Sequence, residues 1–166
     1  MRDKTIFSGV ATALITPFKN SEIDFDALGK IIDFQLDSGI DALVIAGTTG
    51  EASTLSESER YALYEFAKAH TGSAVPLIFG TGSNDTKTAL KYTRRAAELG
   101  ADAALVVTPY YNKGTAEGII SHYQTIANSA DLPIILYNVP SRTGVNLSAY
   151  AVRKLAEHEN VIALKE

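Results

Sequence analysis

Six apolar runs recur along the chain at nearly even spacing, and each of the first five leads into a stretch with helical periodicity. The runs are VATALIT (10–16), DALVIAG (41–47), VPLIFG (75–80), DAALVVT (102–108), LPIILYN (132–138) and NVIALK (160–165). They begin about 27–34 residues apart, the length of one strand–helix unit. Most are continuously apolar rather than alternating, as expected of parallel strands covered on both faces. The intervening stretches predict helices over 25–39, 55–70, 84–100, 114–129 and 147–159. In the first, Leu28, Ile31, Ile32 and Leu36 recur at helical spacing, with Asp24 as N-cap and Gly39 as C-cap. In the second, Ser56 with Glu59 three residues on forms a capping-box pattern.

Repeated strand–helix units build either an open doubly wound sheet or a closed (β/α)8 barrel. The open sheet predicts a glycine-rich phosphate turn after the first strand, but TPFKNSEID (16–24) follows it. A barrel predicts chemistry at the C-terminal ends of many strands. Such residues stand at most of those ends: GTTGE (47–51), GTG (80–82), TPYYN (108–112), Tyr137-Asn138 and Lys165. The expected class is therefore α/β, a (β/α)8 TIM barrel of which residues 1–166 hold about six βα units as an incomplete barrel domain.

Composition narrows the function. With 15 Lys+Arg against 19 Asp+Glu, the chain lacks the basic excess of a nucleic-acid or anionic-membrane binder. It has no cysteine, which excludes disulfides and thiolate metal sites. The opening apolar run is too short for a signal peptide or a membrane span, so the expectation is a cytoplasmic protein with neither nucleic-acid nor membrane partners. His70, His122 and His158 show no metal-ligand spacing, and no metal is expected.

Side chains alternate across a strand, so Val161, Ala163 and Lys165 are expected to share a face. So are Ile135 with Tyr137, and Ala42, Val44 and Ala46 with Thr48. If these faces point inward, Lys165, Tyr137 and Thr48 converge at the barrel's top. A lysine ending a buried apolar strand has its charged form disfavoured, which frees the neutral amine to form a Schiff base with a ketone. The Tyr137 phenol is placed to relay protons, and the N–H groups of the GTTGE turn to bind a carboxylate. Taken singly, each feature has a structural explanation: a snorkelling lysine, a core tyrosine, a tight turn.

Taken together, GTTGE (47–51), TPYYN (108–112), YNVPSRTG (137–144) and IALKE (162–166) resemble the dihydrodipicolinate synthase family of pyruvate-dependent class I aldolases. The resemblance runs from ATALITPF (11–18) to the last residue and includes the 28-residue separation of Tyr137 and Lys165. It implies a (β/α)8 barrel followed by a helical extension. The last two βα units and that extension would then be missing, leaving the fragment alone inactive. It also implies roles. Lys165 would form an imine with pyruvate, and Tyr137 would relay protons. Thr48 would link Tyr137 to Tyr111, which a neighbouring subunit donates in a homo-oligomer, a dimer of dimers. Thr48 and Thr49 would hold the pyruvate carboxylate, and Arg142 the carboxylate of L-aspartate 4-semialdehyde. No metal or organic cofactor would be needed.

Arg142 separates this reading from a sugar-acid or N-acetylneuraminate-type lyase, whose second substrate is a polyol chain. A catalytically silent truncated chain is the alternative from another class. The resemblance also bears on feedback by L-lysine. Asn84 and Tyr110 match the family's lysine-binding pattern, but Thr88 stands where a carboxylate is needed, and Glu57 and Arg60 replace histidines. Weak or absent inhibition by L-lysine is expected.

Overall fold

A buried arginine and a run of fully buried strand residues organise the first part of the chain, as seen in the computed structural model, which describes residues 5–166. These residues divide into two units, one of residues 6–80 and one of residues 81–166 together with Thr5.

In the first unit the elements run β1 (Ala11–Ala13), β2 (Phe18–Lys19), β3 (Glu22–Ile23), α1 (Phe25–Asp37), β4 (Ala42–Ile45), α2 (Glu57–Thr71) and β5 (Leu77–Gly80). Strands β1, β4 and β5 are parallel neighbours in that order. All four residues of β4 and of β5 are buried, as a continuously apolar parallel strand requires. Asp24 caps α1 by accepting from the Ala27 N–H at 2.9 Å. Ser38 is the C-cap, and Gly39 follows it at φ +75°, a left-handed position that glycine adopts without Cβ strain. The capping box is complete: Ser56 accepts from the Glu59 N–H, and the Glu59 carboxylate accepts from the Ser56 N–H at 2.8 Å. The Ser56 hydroxyl, donating to the same carboxylate at 2.6 Å, and the Ser56 N–H together hold the Glu59 carboxyl below its ordinary range. Leu28, Ile32, Leu43, Leu63 and Tyr64 are almost fully buried, each such aliphatic side chain contributing roughly 1.5–3 kcal/mol. The sequence reading misses the β2–β3 hairpin, whose Asn20 and Ser21 both take positive φ, as a tight primed turn demands.

In the second unit the elements run α3 (Thr86–Glu98), β6 (Ala103–Val107), α4 (Ala116–Ala127), β7 (Ile134–Tyr137), α5 (Pro140–Thr143), α6 (Ala149–Leu155) and β8 (Val161–Lys165). Strands β6, β7 and β8 are parallel neighbours. Helix α6 is shorter than expected and leaves His158 in the turn beyond it. Helix α5 is an addition, with Pro140 in its first turn and Gly144 left-handed at its end, the usual proline-in, glycine-out pattern. The described residues contain no helix long and apolar enough to cross a membrane.

Three expectations need correction. Strand β8 is not buried: Val161 and Ile162 are half-buried, and Ala163 through Lys165 are exposed. Apolar composition made it a strand, but burial needs partners on both faces and on both edges. Second, Val161, Ala163 and Lys165 do not form one uninterrupted face. Val161 pairs with Ile134 and Ala163 with Ile135, so Ile162 is an extra residue at a bulge. Third, Thr48 is not reached by strand alternation, because β4 ends at Ile45 and Ala46 turns to φ +52°.

Candidate active site

In the second unit three strands bring their C-terminal ends into register. Val107 of β6 lies opposite Tyr137 of β7, and Tyr137 opposite Lys165 of β8. Backbone bonds continue past the strand ends, from the Thr108 N–H to the Tyr137 carbonyl at 3.0 Å and from the Asn138 N–H to the Lys165 carbonyl at 2.9 Å. The bulge at Ile162 lies before this point, so Ala163 and Lys165 align with Ile135 and Tyr137.

The register places amine and phenol ring together. Lys165 Nζ lies 3.8 Å from the centroid of the Tyr137 ring, within cation–π distance. Tyr137 is buried, whereas Lys165 is exposed. The apolar enclosure expected around the amine is therefore not found among the described residues. On α4, the buried Tyr123 hydroxyl donates to the Val106 carbonyl at 3.0 Å, and burial pushes the Tyr123 phenol well above its ordinary value.

The loops after β6 and β7 carry the other two expected residues of this unit. Tyr111 is 87% exposed and has φ +72°, a conformation that costs a non-glycine residue of order 1–3 kcal/mol. Its N–H donates to the Thr143 carbonyl at 3.0 Å, which joins the TPYYN loop to α5. Arg142, also on α5, is exposed. The structure thus joins Tyr137 to Lys165 directly, and the segments of Tyr111 and Arg142 through the backbone.

In the first unit, Thr48 and Thr49 are exposed within a tight turn. The Gly50 and Ala52 N–H groups donate to the Gly47 carbonyl, and the Glu51 N–H to the Thr48 carbonyl. Thr16 Oγ1 donates to the Gly50 carbonyl at 2.7 Å. Arg60, only 4% exposed, donates to the Ala52 carbonyl and, at 3.0 Å, to the Gly80 carbonyl. Its guanidinium thus holds the turn to the end of β5. A Cβ on Gly80 would stand 2.1 Å from the Ala46 carbonyl oxygen, so only glycine permits that approach.

Sequence reasoning missed Arg60 as a scaffold residue, and it noted Asn138 at a strand end without giving it a role. Arg60 occurs within an ordinary helical pattern, and nothing local marks it as buried. Asn138 is 2% exposed and follows a buried strand, a position where a polar residue must find partners. A cavity of about 390 Å³ opens among Lys113, Ala116, Ile119, Val145, Leu147 and Ala151; neither Tyr137 nor Lys165 lines it. No group of three or more metal-ligating side chains occurs among the described residues.

Parallel strands with crossover helices, carrying polar residues at their C-terminal ends, are the construction of a (β/α)8-barrel protein. Residues 6–166 match the model of the dihydrodipicolinate synthetase family, and the chain belongs to that family. A 4-hydroxy-tetrahydrodipicolinate synthase of Alkaliphilus oremlandii is 54% identical over 161 residues, covering 97% of this chain and 56% of that protein. The crystal structure of dihydrodipicolinate synthase from Aquifex aeolicus superposes with TM-score 0.94 at 48% identity, over 96% of this chain and 55% of that one. The Acinetobacter baumannii synthase, solved in complex with pyruvate, gives 0.93 at 43% identity, over 97% and 55%. The chain thus spans about 56% of the length of the curated relatives it matches, and it holds about six βα units of their barrel fold.

Proposed function

We propose that the protein to which this chain belongs is a 4-hydroxy-tetrahydrodipicolinate synthase, a Schiff-base lyase of lysine and diaminopimelate biosynthesis. The observation that supports this most is the Lys165 amine lying on the Tyr137 ring at matched strand ends, within a chain of this family.

In the proposed reaction the neutral Lys165 amine attacks the keto carbon of pyruvate, and water leaves to give an imine. Loss of a methyl proton, relayed by Tyr137, gives the enamine. The enamine carbon attacks the aldehyde of L-aspartate 4-semialdehyde and forms the new carbon–carbon bond, and the resulting alkoxide takes up a proton. The substrate's own amino group then adds to the imine carbon and displaces Lys165, which closes the ring and leaves the hydroxyl in place. The Thr48 and Thr49 hydroxyls and the N–H groups of their turn hold the pyruvate carboxylate. The Arg142 guanidinium suits the carboxylate of the second substrate and disfavours a sugar-acid reading. No metal or organic cofactor enters this chemistry.

The exposure and strain of Tyr111 fit a side chain that completes a neighbouring subunit's site in a homo-oligomer; the family resemblance adds a dimer of dimers, and a cytoplasmic location is part of the same proposal. Such a tyrosine, hydrogen-bonded through Thr48, extends the proton relay from Tyr137.

Borohydride reduction in the presence of pyruvate tests the proposal in the full-length protein. The expected result is a pyruvate-derived mass on Lys165, lost in Lys165→Ala. Labelling of another lysine, or of none, overturns the mechanism.

A further inference from the structure

Asn138 sits between the segments that carry Lys165 and Arg142, and its N–H and both ends of its carboxamide are engaged. Its N–H donates to the Lys165 carbonyl at 2.9 Å. One face of its carboxamide is a donor: Nδ2 donates to Glu166 Oε1 and to Asn146 Oδ1, each at 2.9 Å. The other face is an acceptor: Oδ1 accepts from the Leu147 N–H at 3.0 Å. The side chain is 2% exposed; its bond to Leu147 is buried, and those to Asn146 and Glu166 are partly so. Glu166 by contrast is exposed, one residue past the end of β8.

We infer that Asn138 is a positioning residue, setting the Lys165 amine through its bridge to Glu166 and the Arg142 loop through its bond to Leu147. The inference rests on the Schiff-base reading above. A lysine reaching past the end of an exposed strand has many rotamers, and imine formation needs the amine held at attack distance. The backbone bond alone fixes the carbonyl of Lys165. The Glu166 bridge fixes the next residue as well, so the peptide that follows the lysine Cα is held by two bonds to one residue. The amide is suited to this because it donates and accepts at once. Aspartate has the same shape but no donor, and would set a second carboxylate against Glu166.

The test follows borohydride-trapped imine formation, with KM for each substrate and kcat, in the full-length protein. Asn138→Asp keeps the acceptor for Leu147 and loses both donors. It should slow pyruvate trapping by roughly tenfold or more, the effect of losing one charge-assisted hydrogen bond, while KM for the aldehyde changes little. Glu166→Ala should slow trapping to a similar extent, with an unchanged thermal transition showing that the fold is kept. Asn138→Asp combined with Glu166→Gln reverses the polarity of the bridge, since the glutamine amide can donate to the introduced carboxylate while Asn146 turns its own amide. The double variant should recover most of the lost rate, which a purely structural role would not produce. A double variant that traps no faster than Asn138→Asp alone overturns the positioning role. So does normal trapping in Asn138→Asp or in Glu166→Ala. Absence of trapping on Lys165 in the unaltered protein overturns the Schiff-base reading itself and the role derived from it.

Discussion

Strands β4 and β8 have similar apolar sequences but opposite surroundings. ALVI of β4 is buried at every position, while VIALK of β8 grades from half-buried to exposed. β4 pairs on both edges, with β1 and with β5. β8 pairs with β7 alone among the described residues, and with a bulge. Both lead to a residue proposed for the chemistry, Thr48 beyond the first and Lys165 at the end of the second. The difference teaches that apolar composition specifies a strand, whereas neighbours on each side specify its burial. Where neighbours are present, a substitution acts mainly on stability; where they are few, it acts mainly on the reactive end.

The sharpest test of this contrast is a matched pair of truncations. Leu43→Ala, at a fully buried site, should cost about 2–5 kcal/mol. Leu164→Ala, at a site 41% exposed in residues 1–166, should cost that chain no more than about 0.5 kcal/mol. Urea unfolding measures both, and equal losses would break the comparison. Arg142→Ala comes next. Its side chain is exposed, so the fold should be unaffected, while kcat/KM for the aldehyde falls roughly ten- to a hundredfold with the loss of a charge-assisted contact of about 1.5–3 kcal/mol. An equal fall in pyruvate imine formation would make Arg142 structural.

A smaller, pH-dependent effect belongs to a buried residue outside the chemistry. His122 is buried against Thr86, whose Oγ1 lies 2.9 Å from Nδ1. Burial lowers its pKa, with Asp85 acting in the opposite sense. The unfolded chain then binds more protons than the folded one, so stability declines as pH falls through the ordinary histidine range near ~6.5. His122→Gln should flatten that part of the stability–pH profile, and an unchanged slope would remove the histidine from the account. The smallest effect expected is that of L-lysine on the full-length protein. Thr88 offers no carboxylate for its ammonium, and its hydroxyl donates to Asp85. Arg60 is committed to backbone carbonyls. Inhibition should be weak or absent, and half-inhibition below a millimolar would reverse this and point to Glu57.

Much of this molecule was legible in advance because its signals are local. Asp24, Ser56 and Glu59 declare helix starts through bonds to backbone groups three residues away. The continuous apolar runs gave all six parallel strands, with observed ends inside the expected ones. Helix α5 and the β2–β3 hairpin were also locally encoded, in Pro140 with Gly144 and in Asn20-Ser21, and were overlooked because each lies within a stretch taken as a connection. The pairing of Tyr137 with Lys165 was foreseeable from strand parity near the ends, and failed only further back, where the bulge at Ile162 shifts the count.

The sequence by itself determined the order of strands and helices, their caps, and the residue types at the strand ends, because each depends on side-chain shape and on backbone bonds within a few residues. Tertiary structure decided which apolar strand is covered, where the register slips, and which polar side chains are held in the interior. Arg60 and Asn138 show why. Their partners are separated from them by 8 to 28 residues, and a buried guanidinium or carboxamide is stable only where folding brings enough acceptors and donors to it.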